Sequence, residues 1–246
     1  ESDDSAPSID LSANLYESPI EKLVKYSLGT CALLTVITTL GIVGILLTES
    51  VEFFLQVSVV DFLTGTEWRF ASTDPSFGVL PLVAGTLLIT VIAATVAMPI
   101  GLASAIYIAK YATPRARRWL KPSLEVLAGV PTVVYGFFAL TFVSGVIIQG
   151  YDSSLPPLNA LSAGLVVGVM IIPMVASVSE DAIRSVPDSL AAGAYALGAT
   201  KFEVVLRVIV PAALSGIIAS FILALSRAIG ETMIVAIAAG ASANLT

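Results

Sequence analysis

Arg227 and Glu231 stand four residues apart inside an otherwise apolar stretch, Val208–Ala239. A charge at bilayer depth is costly and is a functional hypothesis by default. On one helix, positions i and i+4 share a face, so the spacing predicts that the Glu231 carboxylate holds the Arg227 guanidinium while no other anion is present. Guanidinium stays charged at any physiological pH and matches the oxygens of an oxyanion through two parallel hydrogen bonds. A passing oxyanion could compete for Arg227, and Glu231 would weaken its binding enough to permit release. A structural pair locking two helices fits the same two residues.

Other chemistries are excluded by what the sequence lacks. It has no histidine and a single cysteine, Cys31, so a Cys/His metal site, a serine–histidine pair and a disulfide within the chain are ruled out. There is no His-Glu-x-x-His, no Gly-x-Ser-x-Gly and no Gly-x-x-x-x-Gly-Lys-Ser/Thr loop. The chain therefore reads as no enzyme, with no cofactor of its own, and any energy from ATP must come from a partner.

The elements that position Arg227 are membrane helices. Of 246 residues 57% are hydrophobic and only 12% charged, against about 25% charged in soluble domains. A span needs roughly 20 apolar residues, and five windows supply them: Leu28–Leu47, Leu80–Ile108, Leu124–Ile148, Leu158–Val178 and Val208–Ala239. The expected fold is an all-α polytopic membrane protein. Its segments read as a mobile acidic N-terminal stretch (1–27), a first transmembrane helix (28–48), an outer or interfacial segment (49–79) and a core (80–246). Met98-Pro99 predicts a bend within one span, and Val51–Leu63 an interfacial helix beside Trp68. The first window reads as a permanent span rather than a cleaved signal.

Basic residues gather on the cytoplasmic side. Lys110, Arg115, Arg117, Arg118 and Lys121 lie between the second and third windows, and Lys22, Lys25, Arg184, Lys201 and Arg207 fall on the same side by parity. The N-terminus is thus expected inside a bacterial cytoplasmic membrane, and parity leaves a sixth, final span expected but absent. The acidic balance, net −6, makes nucleic acid an improbable partner.

Between the fourth and fifth windows, residues 187–201 predict a short cytoplasmic helix and turn. Pro187 starts the helix, an Ala-rich run continues it, Gly198 stops it, and Glu203 with Arg207 supports the next helix. Ala192, Gly193, Ala194, Leu197, Gly198, Ala199 and Thr200 present little bulk, which suits entry into a groove on a soluble partner; a connecting loop packed on the protein itself fits equally. Glu125 follows the basic loop and could pair with Lys121 or with Arg227, and Val130-Pro131-Thr132 with Gly136 predicts a broken helix. Gly164 and Gly168 form a small-xxx-small packing face.

Ala192, Gly193, Ala194, Gly198, Val208, Val210 and Pro211 resemble the cytoplasmic signature of ABC-importer permeases, with Ala192 at the family's acidic position. Phe77–Thr86, Leu124–Gly136 and Leu225–Met233 resemble, in the right order, phosphate-importer permeases of the PstC type. The resemblance implies the type I, MetI-like permease fold and a phosphate path that includes Arg227, Glu231, Thr232, Glu125, Thr132 and Tyr135. It implies ATPase coupling through Ala192–Thr200, a second homologous permease, two ATPase subunits that bind ATP and Mg, and a periplasmic phosphate-binding protein, all in membrane lipid. The sister permease, a sulfate or molybdate permease, and a passive anion channel are the rival readings.

Overall fold

A computed structural model of the chain describes residues 19–69 and 75–240. The acidic residues 1–18, and the C-terminal residues 241–246 on which the parity count ends, lie outside the described residues. The chain divides into two compact units, Glu1–Val59 and Val60–Thr246.

The first unit is dominated by α1, Pro19–Gln56. Its 38 residues extend about 57 Å at 1.5 Å per residue, well beyond an apolar core of about 30 Å. The helix overruns the expected 28–48 boundary at both ends, because neither Glu21-Lys22 nor Glu49 and Glu52 brings a proline or turn residue to stop it. The threonines along it cost no unmet donors: Thr30, Thr35, Thr38 and Thr39 each donate to the carbonyl four residues back. The expected interfacial helix over Val51–Leu63 is corrected to the end of α1 plus α2, Val59–Thr64, with a break at Val57-Ser58.

The second unit then forms a small hairpin that the all-α expectation lacks. Strand β1, Trp68–Arg69, pairs antiparallel with β2, Ser76–Phe77, and the Trp68 ring meets Phe77 edge to face at 5.8 Å. Gly65 and Gly78 let their backbones touch: a Cβ on Gly78 would fall 2.2 Å from the Gly65 oxygen.

The core follows in chain order. Helix α3, Leu80–Ile106, passes through Pro99 and continues in a wide turn over Tyr107–Tyr111. Helix α4 is Pro114–Ala128; α5, Thr132–Phe138, runs through a π-helical stretch, Ala139–Ile148, into α6, Gln149–Tyr151. Helix α7 is Ala160–Arg184 and α8 is Asp188–Ala196. Then α9, Lys201–Val204, leads through Val205–Ile209 into α10, Val210–Ala212. Helices α11, Leu214–Ile229, and α12, Met233–Ala238, complete it.

Helix α7 is the central element, buried over most of its length and packed chiefly on α3 and α11. Asn159 starts it by accepting from the Ser162 N–H at 2.8 Å. Gly164 and Gly168 are at the α3 contact, where an added Cβ would lie 2.7 Å from the Ile92 Cβ and 3.0 Å from the Ala93 oxygen respectively. The small-residue pattern therefore serves packing.

Among the described residues, four helices are long and apolar enough to cross a membrane, or five if the pair Lys201–Ala212 and Leu214–Ile229, bent by 69°, counts as one. Two expected windows are corrected. Leu124–Ala128 belongs to α4, since Gly129-Val130-Pro131 ends that helix and the span starts at Thr132. Val208–Ala239 is three segments: it bends at Ala213 and breaks again at Gly230-Glu231-Thr232.

Candidate functional site

The second break changes the chemistry expected of Arg227. Helix α11 ends at Ile229, so Arg227 occupies its last turn, where a cation complements the helix dipole. Gly230 caps the helix, and Glu231 begins a new one: its Oε1 accepts from the N–H groups of Met233 and Ile234 at 3.1 and 3.2 Å. The carboxylate thereby satisfies two backbone donors that α12 leaves open. The expected ion pair on a shared helix face does not form, because the two residues are not on one helix. Arg227 is exposed, and its guanidinium makes no hydrogen bond or ion pair among the described residues. Thr232 is exposed, its hydroxyl 3.4 Å from the Gly230 oxygen.

A matching break precedes α5. Tyr135, buried to 8% exposure, donates its hydroxyl to the Leu127 carbonyl at 2.8 Å and so ties α5 to the end of α4. Thr132 is half-buried at the first turn. The helices that open after the two breaks pack on each other: a Cβ on Gly136 of α5 would sit 2.9 Å from the Ile237 Cδ1 and 3.4 Å from the Ile234 Cα of α12. The structure thus brings the Thr132–Tyr135 segment beside the helix capped by Glu231.

Glu125 is not part of that group. It is exposed on α4 and lines a cleft of about 530 Å³ with Arg117, Arg118 and Lys121. Neither expected partner is realised. Lys121 turns instead to α7, with Nζ 2.9 Å from Glu180 Oε2 and 3.3 Å from Asp181 Oδ1.

Glu180 is the residue that sequence reasoning misses. It is 1% exposed, and Arg117, Lys121 and Arg184 all reach its carboxylate, Arg184 at 3.5 Å. A buried carboxylate requires such compensation. Its hydrogen bond chiefly, with its charge, raises the Lys121 pKa above the ordinary lysine value, against an opposing effect of burial. The available signal is a carboxylate on the apolar face of α7, four residues before Arg184 and downstream of five clustered cations. Nearby, the Ser179 and Ser220 hydroxyls meet at 2.7 Å in the buried contact between α7 and α11.

Beyond Arg184 the chain turns into α8. Gly198 sits at φ +83°, a left-handed stop. Thr200 and Glu203 form a reciprocal capping box that starts α9, and Glu203 pairs with Arg207 at 3.8 Å. Ala191, Ala194 and Ala199 pack against a core cluster that includes Ile183, Val204 and Ile209. The opposite side is open: Ala192, Gly193 and Leu197 are exposed, Leu197 to 90%. Helix α8 is thus held to the protein by one face and bare on the other.

Residues 97–245 match the family described as binding-protein-dependent transport system inner membrane component. The chain is 37% identical over 212 residues to the probable ABC transporter permease protein YqgH of Bacillus subtilis, covering 85% of this chain and 68% of that one. It is 34% identical over 244 residues to the phosphate transport system permease protein PstC of Haemophilus influenzae, covering 92% and 76%. In three dimensions it is similar to a chain of the inward-facing MetNI methionine ABC transporter, with TM-score 0.50 and 21% identity, covering 62% of this chain and 68% of that one. The MetI-like permease fold read from the sequence agrees with this likeness.

Proposed function

The chain belongs to the family of binding-protein-dependent transport system inner membrane components, and from that premise we propose that it is the membrane-spanning subunit of an ATP-driven importer of inorganic phosphate. The observation that carries the reading is Arg227, an arginine within an apolar stretch, exposed, with its nearest sequence carboxylate committed to capping α12. An unpaired guanidinium at a helix break is a site for an oxyanion. The likeness to a phosphate transport permease supports phosphate as that oxyanion.

In this reading Arg227 binds the anion transiently. Glu231, fixed nearby at the start of α12, keeps the affinity low enough for release, and Thr232, Thr132 and Tyr135 belong to the same broken-helix region. Helix α8 transmits ATPase motion. Its partners are two ATPase subunits, which hold ATP and Mg, a second homologous permease that completes the path, and a phosphate-binding protein on the outer face. ATP binding draws α8 inward and rocks the bundle between outward and inward openings. The N-terminus and α8 face the cytoplasm of a bacterial inner membrane.

The test is ATP-dependent uptake of labelled phosphate and sulfate by vesicles holding the assembled importer. Phosphate uptake that sulfate does not share supports the reading. Preferential uptake of sulfate overturns the substrate, and uptake without ATP or an ATPase overturns the class.

A further inference from the structure

Helix α4 carries more cationic charge than its protein contacts use. Arg117 and Lys121 are committed to Glu180, whereas Arg115 and Arg118 are exposed and no carboxylate reaches either among the described residues. The same helix has an outward apolar side. Trp119 is 77% exposed and Val126 70%, with Leu120 and Leu127 also open. A cationic edge next to an exposed tryptophan is the pattern of a helix seated at the membrane interface.

Two cavities flank α4 where it faces the Tyr107–Tyr111 turn that extends α3, and both reach Ile108. One, of about 530 Å³, is bordered by Arg117, Arg118 and Lys121, with Glu125 as its one carboxylate. The other, of about 730 Å³, is an almost wholly apolar slot between Ile100, Ala103 and Tyr107 of the α3 segment and Leu120, Leu124 and Leu127 of α4. The two helices do not close on each other; a cationic mouth stands beside an apolar slot.

We propose that one anionic phospholipid occupies this place, its phosphodiester at Arg118 and Arg115 and an acyl chain in the slot between α3 and α4. The charge of the mouth selects the occupant. A free phosphate has nothing to fill the slot, and an apolar protein helix would leave the guanidinium groups unmatched. Basic pockets between transmembrane helices at the cytoplasmic side are suited to anionic headgroups. Bound there, the lipid fastens α4 to α3, and through Arg117 and Lys121 it steadies the Glu180 cluster. The inference is independent of which anion the importer carries.

The experiment uses the full chain, purified in detergent with its co-assembling subunits, and phosphatidylglycerol and phosphatidylcholine of identical acyl chains as probes. Native mass spectrometry and thermal unfolding read binding. Phosphatidylglycerol is expected to bind at one per chain, about tenfold more tightly than phosphatidylcholine, and to raise the unfolding midpoint. Arg115→Gln with Arg118→Gln removes the preference, and the corresponding Lys pair keeps it. Ala103→Phe, which fills the slot, weakens binding of both lipids while leaving the fold intact without lipid. Equal binding of the two lipids, or a preference unchanged in the Gln pair, overturns the proposal. So does inorganic phosphate matching phosphatidylglycerol, which makes the mouth a free-anion site, or a slot closed to lipid only when a partner subunit is present, which makes it a protein interface.

Discussion

Lys121 on α4 and Glu180 on α7 lie 59 residues apart in sequence and 2.9 Å apart in space. That bond, with the one from Arg117, holds α4 against the end of α7, directly before the turn into α8, while Arg184 reaches the same carboxylate from within α7. The contact therefore ties the broken helix α4–α5 to the segment proposed to receive the ATPase stroke.

The pair is asymmetric, and the asymmetry is measurable. Glu180 is buried, while its three cations retain between 28% and 49% side-chain exposure. Replacing Arg117 and Lys121 together by Ala strands a carboxylate whose third partner, Arg184, is at 3.5 Å, and is expected to cost about 3 kcal/mol. Glu180→Gln leaves cations that water can reach and is expected to cost roughly half as much. Thermal unfolding of the detergent-solubilised variants gives the order; a larger loss in Glu180→Gln contradicts it.

Because Glu180 raises the Lys121 pKa, the folded state binds that proton more tightly than the unfolded state does. The resulting stabilisation is fully present below the ordinary lysine pKa and is lost as pH rises through the elevated value. Alkaline titration of the unfolding midpoint is expected to show this loss in the native chain and to show less of it in Lys121→Arg, which stays charged. Lys121 remains partly exposed, so the effect is modest.

Glycine substitutions separate packing from conformation. At Gly168 an added Cβ would lie 3.0 Å from the Ala93 oxygen and 3.2 Å from its Cα, so Gly168→Val must push α3 and α7 apart, costing about 1–3 kcal/mol or more. Gly193, exposed in α8 with nothing within 4 Å, is expected to accept Ala with a gain of up to about 1 kcal/mol. Chemical or thermal unfolding of the two variants should move in opposite directions.

Helix α8 can be tested without disturbing the core. Leu197 is 90% exposed, so Leu197→Asp is expected to leave folding unchanged and to weaken ATPase association and transport together. Gly198→Ala strains a residue at φ +83° by about 1 kcal/mol or somewhat more and shifts the α8–α9 turn. Pull-down of the ATPase with each variant checks this; undiminished association with Leu197→Asp assigns α8 a purely internal role.

The long spans are legible in the sequence because twenty apolar residues have few other places to go. The turn after α8 is legible because Gly198 and the Glu203–Arg207 spacing carry their own local geometry, and the structure adds the Thr200–Glu203 capping box between them. The Arg227–Glu231 relation is not. Spacing four apart implies one helix, and only the structure shows that Gly230 ends α11 and that Glu231 spends its oxygens on the next backbone. The Glu180 cluster is illegible for a different reason: Arg117 and Lys121 stand 63 and 59 residues away, and no local pattern records that α4 folds back along α7. Lys121 offered two carboxylates, Glu125 at i+4 and Glu180 across the fold, and burial of Glu180 decided for the second.

The most direct measurement is phosphate uptake by the assembled importer with Arg227→Ala, Arg227→Lys and Glu231→Gln beside the native chain, each checked for ATP hydrolysis. The expected result is abolished transport in Arg227→Ala with ATPase activity retained, and partial transport in Arg227→Lys, which keeps the charge and loses the bidentate fork. Glu231→Gln retains assembly and transports more slowly. Normal phosphate uptake by Arg227→Ala contradicts the central claim and makes Arg227 a structural cation at the end of α11.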